Sequence, residues 1–373
     1  MIWRDIVKMD RKELVKALKT VKPALAQKDY IPILNHYCFT GDRLFAYDDV
    51  LFISMPFETK GWGGGIPDVL LNNMERFEGN NLTIVKRKDG KLSIKGIDTT
   101  KRKESAVFNV IPVEDFIIDQ IPIVGGFLKF DLTQDFVDGL KLCLQSVSTQ
   151  ETQPKMQGIT IDINEAEKSV TLYATDRRTI SSYSLSGDDL INYITPVTDA
   201  KRSYVLPTKF CELAINLFEE YHEERPLDLF LSNNAAEVAF IDGHHAITKL
   251  INNEDPLDFE KQIDGILSDL PSWDDLQPIP KNLSKCIETI AVFDDAKAAL
   301  SIDNNFLGVN AEGTKGLGDQ GMQLDANHPD RKTTYDAKAL LNGLNSCEEF
   351  YFTEKCGVMM SAGNYIYLIA DYE

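Results

Sequence analysis

The chain has 373 residues, of which 43% are hydrophobic and 26% are charged. This composition is typical of a globular protein and excludes a disordered or fibrous one. Its formal net charge of −19 argues at first against nucleic acid, because proteins that bind nucleic acid are expected to be basic. The charge is uneven, however, at about +2 in residues 1–125, about −8 in 126–250 and about −13 in 251–373. This distribution fits a basic face on an acidic exterior, and it equally fits a charge that only keeps the protein in solution.

The sequence lacks an uncharged apolar run near the roughly 18 residues that a membrane span needs, so we expect a cytoplasmic protein that makes no membrane contact. The six cysteines are scattered and form no CxxC pair: Cys38, Cys143, Cys211, Cys286, Cys347 and Cys356. We interpret them as buried, reduced thiols rather than as a disulfide framework or zinc ligands.

Three amphipathic helices of one kind are predicted along the chain, at 14–25, 136–147 and 283–293. Each precedes a segment of alternating apolar and polar residues, at 37–58, 158–185 and 298–325, which indicates half-buried antiparallel strands. Turns are expected within these segments at Gly41-Asp42, near Asn164 and near Asp303-Asn304.

A second set of helices is predicted at 67–77, 207–218 and 336–347, with Pro67 and Pro207 in a first helical turn. Hairpins follow at 82–97, 228–251 and 349–369, the first with an Asp89-Gly90 turn. A unit of helix, sheet, helix and sheet therefore occurs three times, with a period of roughly 120–150 residues. The pattern predicts an α+β fold of three repeated domains, at 1–122, 123–263 and 264–373, with linkers near 119–126 and 264–280.

Several motifs, in order along the chain, carry a family resemblance. The run at 174–180 reads ATDRRTI, and it resembles the ATDGHRL stretch of the bacterial DNA polymerase III beta subunit, the sliding clamp. Four further segments resemble that family's motifs in the same order: IPIL at 31–34, QGI at 157–159, LINNEDPLDF at 250–259 and YLI at 367–369. The likeness runs over nearly the whole chain and is weakest in the third repeat.

The resemblance implies a non-catalytic processivity factor without a cofactor, which encircles double-stranded DNA and tethers a polymerase. It implies a head-to-tail homodimer, with domain 1 of one chain against domain 3 of the other, helices lining a channel and sheets outside. It also implies that DNA polymerase and clamp loader bind through short linear peptides. The divergence of the sequence is compatible with a phage-encoded clamp.

The first helix offers a physical reason for DNA contact. Leu14, Leu18 and Val21 share one face, whereas lysines two positions before each of them fall about 200° away, on the opposite face. A lysine stripe is usually a solvated surface, but in a ring it would contact phosphates without reading bases. The predicted channel residues are Lys12, Lys16, Lys19, Lys22, Lys28, Arg76, Lys209, Lys281, Lys285 and Lys338, with those at 281, 285 and 338 on helices of the third repeat. The loop at 149–155 has Pro154-Lys155 where the family has aromatic residues.

By resemblance, the partner-peptide pocket comprises Met156, Thr175, Arg177, Arg178, Ile180, Leu368 and Ile369. The sequence departs from the family here, because Arg177 replaces a glycine and the tail at 370–373 reads ADYE instead of a Met-Pro-Met-Arg-like ending. An altered peptide preference is therefore expected. The alternative for Ile180, Leu368 and Ile369 is plain core packing.

Two other classes of protein remain as alternatives. A Mg²⁺-dependent nuclease could use an acidic pair such as Asp48-Asp49, although acidic pairs at strand ends are usually solvated. The glycine-rich run at 61–65 lacks the GK(S/T) of a phosphate loop, and His244-His245 are expected in a surface turn without metal-ligand spacing. A ring-shaped structural protein would share the repeats but would not need the lysine face.

Overall fold

The computed structural model describes residues 6–27, 31–59, 62–116, 121–122, 124, 128–150, 152–164, 167–186, 203–223, 227–240, 243–252, 257–270, 272–292, 297–313, 316–324, 330–353, 356–361 and 364–371. The predictions for Lys28 and for most of the linker at 119–126 lie outside these residues. The chain divides into two compact units. The first contains Met1–Leu132 and Asn216–Leu250, and the second contains Thr133–Asn192, Lys201–Ile215 and Ile251–Glu373.

The described part of the chain has seven α-helices and twenty-four strands. The helices are α1 (Arg11–Val21), α2 (Val69–Arg76), α3 (Gln134–Leu144), α4 (Thr208–Tyr221), α5 (Phe259–Leu267), α6 (Leu283–Ile290) and α7 (Ala337–Ser346). The strands up to residue 131 are β1 (Ile6–Asp10), β2 (His36–Phe39), β3 (Arg43–Tyr47), β4 (Leu51–Pro56), β5 (Gly64–Pro67), β6 (Asn81–Lys86), β7 (Leu92–Ile97), β8 (Lys103–Phe108) and β9 (Leu128–Asp131). Those up to residue 249 are β10 (Gly158–Asn164), β11 (Ser169–Thr175), β12 (Thr179–Ser186), β13 (Ser203–Pro207), β14 (Leu227–Leu231), β15 (Ala235–Phe240) and β16 (His245–Lys249). The last are β17 (Gln277–Pro278), β18 (Lys297–Asp303), β19 (Phe306–Gly313), β20 (Gly316–Gln323), β21 (Arg331–Asp336), β22 (Glu349–Phe352), β23 (Cys356–Ser361) and β24 (Tyr365–Ala370).

Among the described residues, each unit holds one four-stranded and one eight-stranded antiparallel sheet. In the first unit the strand orders are β1-β6-β7-β8 and β5-β2-β3-β4-β16-β15-β14-β9. In the second unit they are β20-β19-β18-β21 and β13-β10-β11-β12-β24-β23-β22-β17. The α+β fold with antiparallel sheets that the sequence predicts is thus confirmed.

The element order repeats three times along the chain. One strand, one helix, four strands, one helix and three strands run from β1 to β8, again from β9 to β16, and again from β17 to β24. Helix α5 is an addition between the second and third repeats. The division into domains at 122 and 263 stays a prediction, because each eight-stranded sheet takes four strands from each of two neighbouring repeats.

The two prolines expected to begin helices instead end strands. Pro67 is the last residue of β5 and Pro207 is the last residue of β13, and the helices begin at Val69 and Thr208. Both strands lie at the edge of an eight-stranded sheet, where proline is tolerated because its missing N–H removes no ladder hydrogen bond.

Helix α1 forms as its apolar spacing predicts. Asp10 caps its first turn, since the carboxylate accepts hydrogen bonds from the backbone N–H groups of Lys12 and Glu13 at 2.8 and 3.1 Å. The buried stripe consists of Leu14, Ala17, Leu18 and Val21. Helix α1 contacts β3 and β4, and α3 contacts β10, β11 and β12, so helices cover one face of each eight-stranded sheet.

The opposite face of each eight-stranded sheet, called the outer face below, is covered by the segment that leads into the next repeat. On the first sheet Phe116 packs edge-on against Phe45, with ring centroids 5.8 Å apart. On the second sheet Phe259 of α5 stacks on Tyr173 at 5.0 Å. The linker predicted at 264–280 therefore contains the end of an amphipathic helix, which buries Phe259 and Ile263.

Candidate functional site

The two eight-stranded sheets contain equivalent junctions where strands of neighbouring repeats pair. In the first sheet Ile247 of β16 lies opposite Phe52 of β4. In the second sheet Leu368 of β24 lies opposite Ile180 of β12. The structure thereby brings together most of the residues predicted for the partner-peptide pocket, at the second junction.

The turn between β11 and β12 is held by side chains of the ATD motif. The Thr175 hydroxyl donates to the Thr179 carbonyl at 2.7 Å and accepts from the Arg177 N–H at 3.1 Å. The Asp176 carboxylate accepts from the N–H groups of Arg178 and Thr179 at 2.9 and 2.7 Å. These two residues are thus engaged in shaping the turn, which presents the exposed side chains of Arg177 and Arg178.

Arg177 occupies a left-handed backbone conformation, with φ of 76°. Glycine adopts this conformation without strain, whereas other residues incur a steric cost. By resemblance, the position is the one where the sliding-clamp family has glycine, the residue that this backbone conformation favours. The neighbouring Arg178 forms an ion pair within the chain: its guanidinium lies 3.8 Å from the Asp336 carboxylate.

The pocket residues of the last strand point to opposite faces of the sheet. Leu368 packs in the outer-face cluster with Tyr173 and Phe259, and the half-buried Ile180 packs against that cluster. The Tyr367 hydroxyl donates to the Ala339 carbonyl of α7, which places the neighbouring strand position on the helix face. Because side chains alternate along a strand, Ile369 also lies on the helix face, behind the outer surface.

Leu368 and Ile369 are only 2% and 1% exposed. In a single copy of the chain both side chains are therefore packed in the core, as the alternative interpretation expected. Ile180 is half-buried and offers more accessible apolar surface. Met156, the remaining predicted pocket residue, is half-buried at the end of a 3₁₀ turn (Pro154–Met156), and its carbonyl accepts from the Ser148 N–H at 2.8 Å. That turn also contains Lys155, in the loop where the family has aromatic residues.

At the first junction the residue equivalent to Arg177 is Asp49, which forms an ion pair with a residue of the same unit. Asp49 follows β3 with φ of 79°, as Arg177 follows β11, and its carboxylate lies 2.9 Å from the Lys249 ammonium. Asp48 accepts from the backbone N–H groups of Val50 and Leu51 at 3.0 and 2.7 Å. This acidic pair is therefore occupied by protein groups, and the described residues contain no group of three or more His, Cys, Asp or Glu that could hold a metal ion.

Nine of the ten predicted channel residues lie in the described part of the chain, and all nine are exposed or half-exposed. Ion pairs involve Lys16, which lies 3.5 Å from Glu220, and Lys19, which lies 2.8 Å from Glu75. These pairs are solvent-exposed and contribute little to stability. Lys281 lies in the turn before α6 rather than on the helix, whereas Lys285 and Lys338 lie on α6 and α7.

A second group of cations, which the sequence reasoning did not single out, lies on the four-stranded sheet of the first unit. A shallow pocket on this sheet has a volume of about 770 Å³ and is lined by Lys86, Arg87, Lys88 and Lys95 together with the exposed Ile6. The basic balance of the first 125 residues is therefore divided between helix α1 and this sheet face. The alternation of β7 could have indicated part of it, because Lys95 falls on an exposed position between the buried Ile94 and Gly96, whereas Lys86 ends β6 on the same side as the buried Leu82 and Ile84.

The cysteines and histidines take structural positions. Five cysteines are buried and Cys286 is half-buried. Burial raises the pKa of the Cys347 thiol to about 12 and also raises the pKa values of Cys38, Cys143 and Cys211, so these thiols stay protonated at neutral pH. The expected turn before the histidine pair is present at Gly243, with φ of 87°, but His245 is the first residue of β16. Its Nδ1 lies 3.0 Å from the Glu237 carboxylate on the neighbouring strand.

The structure is similar over nearly its whole length to solved bacterial sliding clamps. Two structures of the DNA polymerase sliding clamp from Pseudomonas aeruginosa, the second bound to griselimycin, match with TM-scores of 0.77 and 0.78 at 18% and 15% identity, covering 99% of both chains. The Caulobacter crescentus pol III beta structure matches with a TM-score of 0.78 at 18% identity, covering 99% of this chain and 100% of that one. No family model and no curated protein matches the sequence.

The chain therefore has the sliding-clamp fold, at an identity that marks it as divergent. This confirms the fold that the ordered motifs predicted, while nothing in the matches supports a phage origin. No helix in the described ranges is long and apolar enough to cross a membrane.

Proposed function

We propose that the protein is a DNA sliding clamp: two copies close into a ring around duplex DNA and tether a polymerase to it. The observation that carries the proposal is the topology of the sheets. Strands β4 and β12 pair with β16 and β24, whereas their counterparts in the remaining repeats, β20 and β8, each end a four-stranded sheet. Pairing of β8 with β20 of a second copy would complete the series of eight-stranded sheets.

Exposed apolar side chains on these two strands support that seam. Val107 of β8 is 48% exposed and Leu317 of β20 is 65% exposed. Unpaired edge strands with apolar side chains are prone to pair with another chain, and pairing of β8 with β20 that closes after two copies leaves neither edge free.

The seam is tested by the mass of the protein in solution, measured by light scattering at micromolar concentration. We expect twice the mass of one chain, and the mass of a single chain for Val107→Asp and for Leu317→Asp. Ile97→Asp is the matched control, because Ile97 is 61% exposed on the inner strand β7 of the same sheet. A monomeric wild-type protein, or an Ile97→Asp variant that dissociates equally, would contradict the seam.

The exposed lysines of helix α1 support DNA contact inside such a ring. Lys12, Lys16 and Lys19 lie opposite the buried stripe of the helix, and contacts of lysine to phosphate are independent of sequence and weaken with salt. Such contact suits a protein that must move along DNA, since the ring itself prevents escape. A clamp of this kind needs no catalytic group or cofactor, and it acts in the cytoplasm with the replication machinery.

Charge reversal tests this assignment. The triple variant Lys12→Glu, Lys16→Glu and Lys19→Glu should weaken DNA association and lower the slope of log affinity against log salt by up to about 3, roughly one for each phosphate that is no longer neutralised. The control reverses Lys86, Lys88 and Lys95 on the four-stranded sheet, which changes the net charge equally. Equal weakening by both triple variants would show that α1 is not the DNA-binding face.

Encirclement is tested by retention on circular DNA compared with the same DNA after linearisation. A ring slides off free ends, so loss from linear DNA alone is expected, whereas equal loss from both would contradict encirclement. Cleavage of either DNA in the presence of Mg²⁺ would favour the nuclease alternative.

The second junction is the proposed site for partner peptides. The half-buried Ile180, which lies over the buried Leu368, supplies apolar surface there, and the exposed Arg177 supplies a cation at its border. Polymerase and clamp-loader peptides would place an apolar anchor on this surface. Arg177 has no ion-pair partner in the described part of the chain, unlike its counterpart Asp49, so acidic residues next to the anchor are the expected preference.

A further inference from the structure

The first junction carries a pocket of its own, on the outer face of the first eight-stranded sheet and entirely within the first unit. Its volume is about 720 Å³, within the range of sites that hold small ligands or peptide side chains. Its lining includes Arg43, Phe45, Phe52, Ile121, His245 and Ile247. We propose that this first-sheet pocket is a second peptide-binding site, which takes a short segment of a partner protein with an apolar anchor next to an acidic side chain.

The floor of the pocket is apolar and repeats the surface of the second junction. Phe52 and Ile247 lie opposite each other across β4 and β16, as Ile180 and Leu368 do across β12 and β24. Both floor residues belong to the cluster around Phe45. An aromatic or aliphatic anchor would therefore find an apolar floor in this pocket.

The polar side of the pocket differs between the two junctions and determines the ligand. Glu237 pairs with Ile247 across β15 and β16, where the second sheet has Val358 opposite Leu368. The Glu237 carboxylate lies 3.0 Å from Nδ1 of His245, so it already has a partner within the pocket.

Arg43 is the charged group left for a ligand. Its Nε donates to the Ser54 hydroxyl at 2.8 Å and its Nη2 donates to the Gly243 carbonyl at 2.6 Å. These two neutral acceptors fix the guanidinium at the pocket and leave further N–H donors unused. No carboxylate within the described ranges forms an ion pair with it. A guanidinium held in this way is suited to bind a carboxylate with two parallel hydrogen bonds.

The proposal is tested with a fluorescent peptide of sequence Ser-Leu-Phe-Asp-Ser, blocked at both ends, and with its Asn counterpart. Fluorescence polarisation should show binding of the Asp peptide and at least about tenfold weaker binding of the Asn peptide. In the Ile180→Glu background, where the second junction is blocked, Arg43→Gln should weaken binding of the Asp peptide by a similar factor and leave the Asn peptide unaffected. Arg43→Lys should recover part of the difference, and thermal unfolding should show that both variants are folded.

A variant of the other junction separates this inference from the proposed function. Ile180→Glu places a charge on the second junction and should leave the Arg43-dependent binding unchanged. If Ile180→Glu abolishes binding and Arg43→Gln does not, the peptide uses only the second junction, and the inference is wrong while the proposed function stands. Absence of binding to the wild-type protein, or equal binding to Arg43→Gln, would also overturn it.

Discussion

Arg177→Gly should stabilise the protein, because it removes strain at the turn of the second junction. The left-handed conformation with φ of 76° costs a residue with a side chain about 1–2 kcal/mol. Glycine avoids this cost, but its greater conformational freedom stabilises the unfolded chain by about 0.4–1 kcal/mol. The backbone N–H at this position keeps its hydrogen bond to Thr175, so the net gain is about 0.5–1 kcal/mol.

This gain corresponds to a rise in melting temperature of about 1–4 °C for a folding unit of 150–250 residues. Differential scanning calorimetry of the wild type and the variant measures it. The substitution also removes the cation at the proposed partner site, so binding of acidic peptides there should weaken as stability rises. Opposite changes of this kind are expected where strain is retained for function.

Asp49→Gly is the matched control at the first junction. Its φ of 79° is nearly the same, but aspartate tolerates this conformation better than arginine does. Its exposed ion pair with Lys249 contributes about 0.2–1 kcal/mol, which the substitution removes. We therefore expect no gain in stability for Asp49→Gly. Destabilisation by Arg177→Gly, or an equal rise in both variants, would refute the reasoning.

Four further substitutions test the packing and electrostatics of the fold. Gly343→Ala in α7 should destabilise the protein by about 1–3 kcal/mol despite the better helix propensity of alanine, because the added methyl would meet side-chain atoms of β23 and β24 at 2.6 Å. Gly265→Ala in α5 is the matched control: its methyl meets no atom within 4 Å, so it should stabilise the protein by up to about 1 kcal/mol. Asp10→Ala should cost about 1 kcal/mol in urea unfolding through loss of the α1 cap. Burial, together with the Asp228 carboxyl, raises the pKa of Asp131 above its usual 3.8, so stability is lost as pH rises from 3.8 through the folded-state pKa. Asp131→Asn should therefore raise the melting temperature at pH 7 and lose this advantage below pH 3.8, and an advantage that persists there would contradict the assignment.

The elements that the sequence predicts well are those with their own periodicity. The spacing of Leu14, Leu18 and Val21 indicates helix α1, and the hairpins are marked by turn residues such as Gly41 and Gly90, both of which have positive φ. Strands of four or five residues at sheet edges, such as β5, carry too little alternation to be recognised. Helix α5 escapes prediction because the prolines and acidic residues that follow it suggest a linker.

The site is predicted less completely than the fold for two physical reasons. Ile180 and Leu368 are 188 residues apart in sequence, and their pairing depends on strand register across two repeats, which only the family resemblance could suggest. The separation of Leu368 and Ile369 onto opposite faces follows from strand alternation and could have been predicted. The first-sheet pocket could not, since Arg43 and His245 meet only through the pairing of β4 with β16.

Duplication of one unit explains why the junctions share a geometry and differ in chemistry. The left-handed position that follows the third strand of the repeat is kept at Asp49 and Arg177, because the turn requires it whatever the side chain is. The charge of the side chain at this position can therefore differ between the junctions. At the first junction Lys249 neutralises Asp49. At the second junction the neighbouring strand has the uncharged Ala370, whose N–H donates to the Arg178 carbonyl. One junction is thus closed by its own ion pair and presents Arg43 elsewhere, and the other presents Arg177 directly. If both bind peptides, each should tolerate loss of the other's arginine, and competition between two acidic peptides should be incomplete.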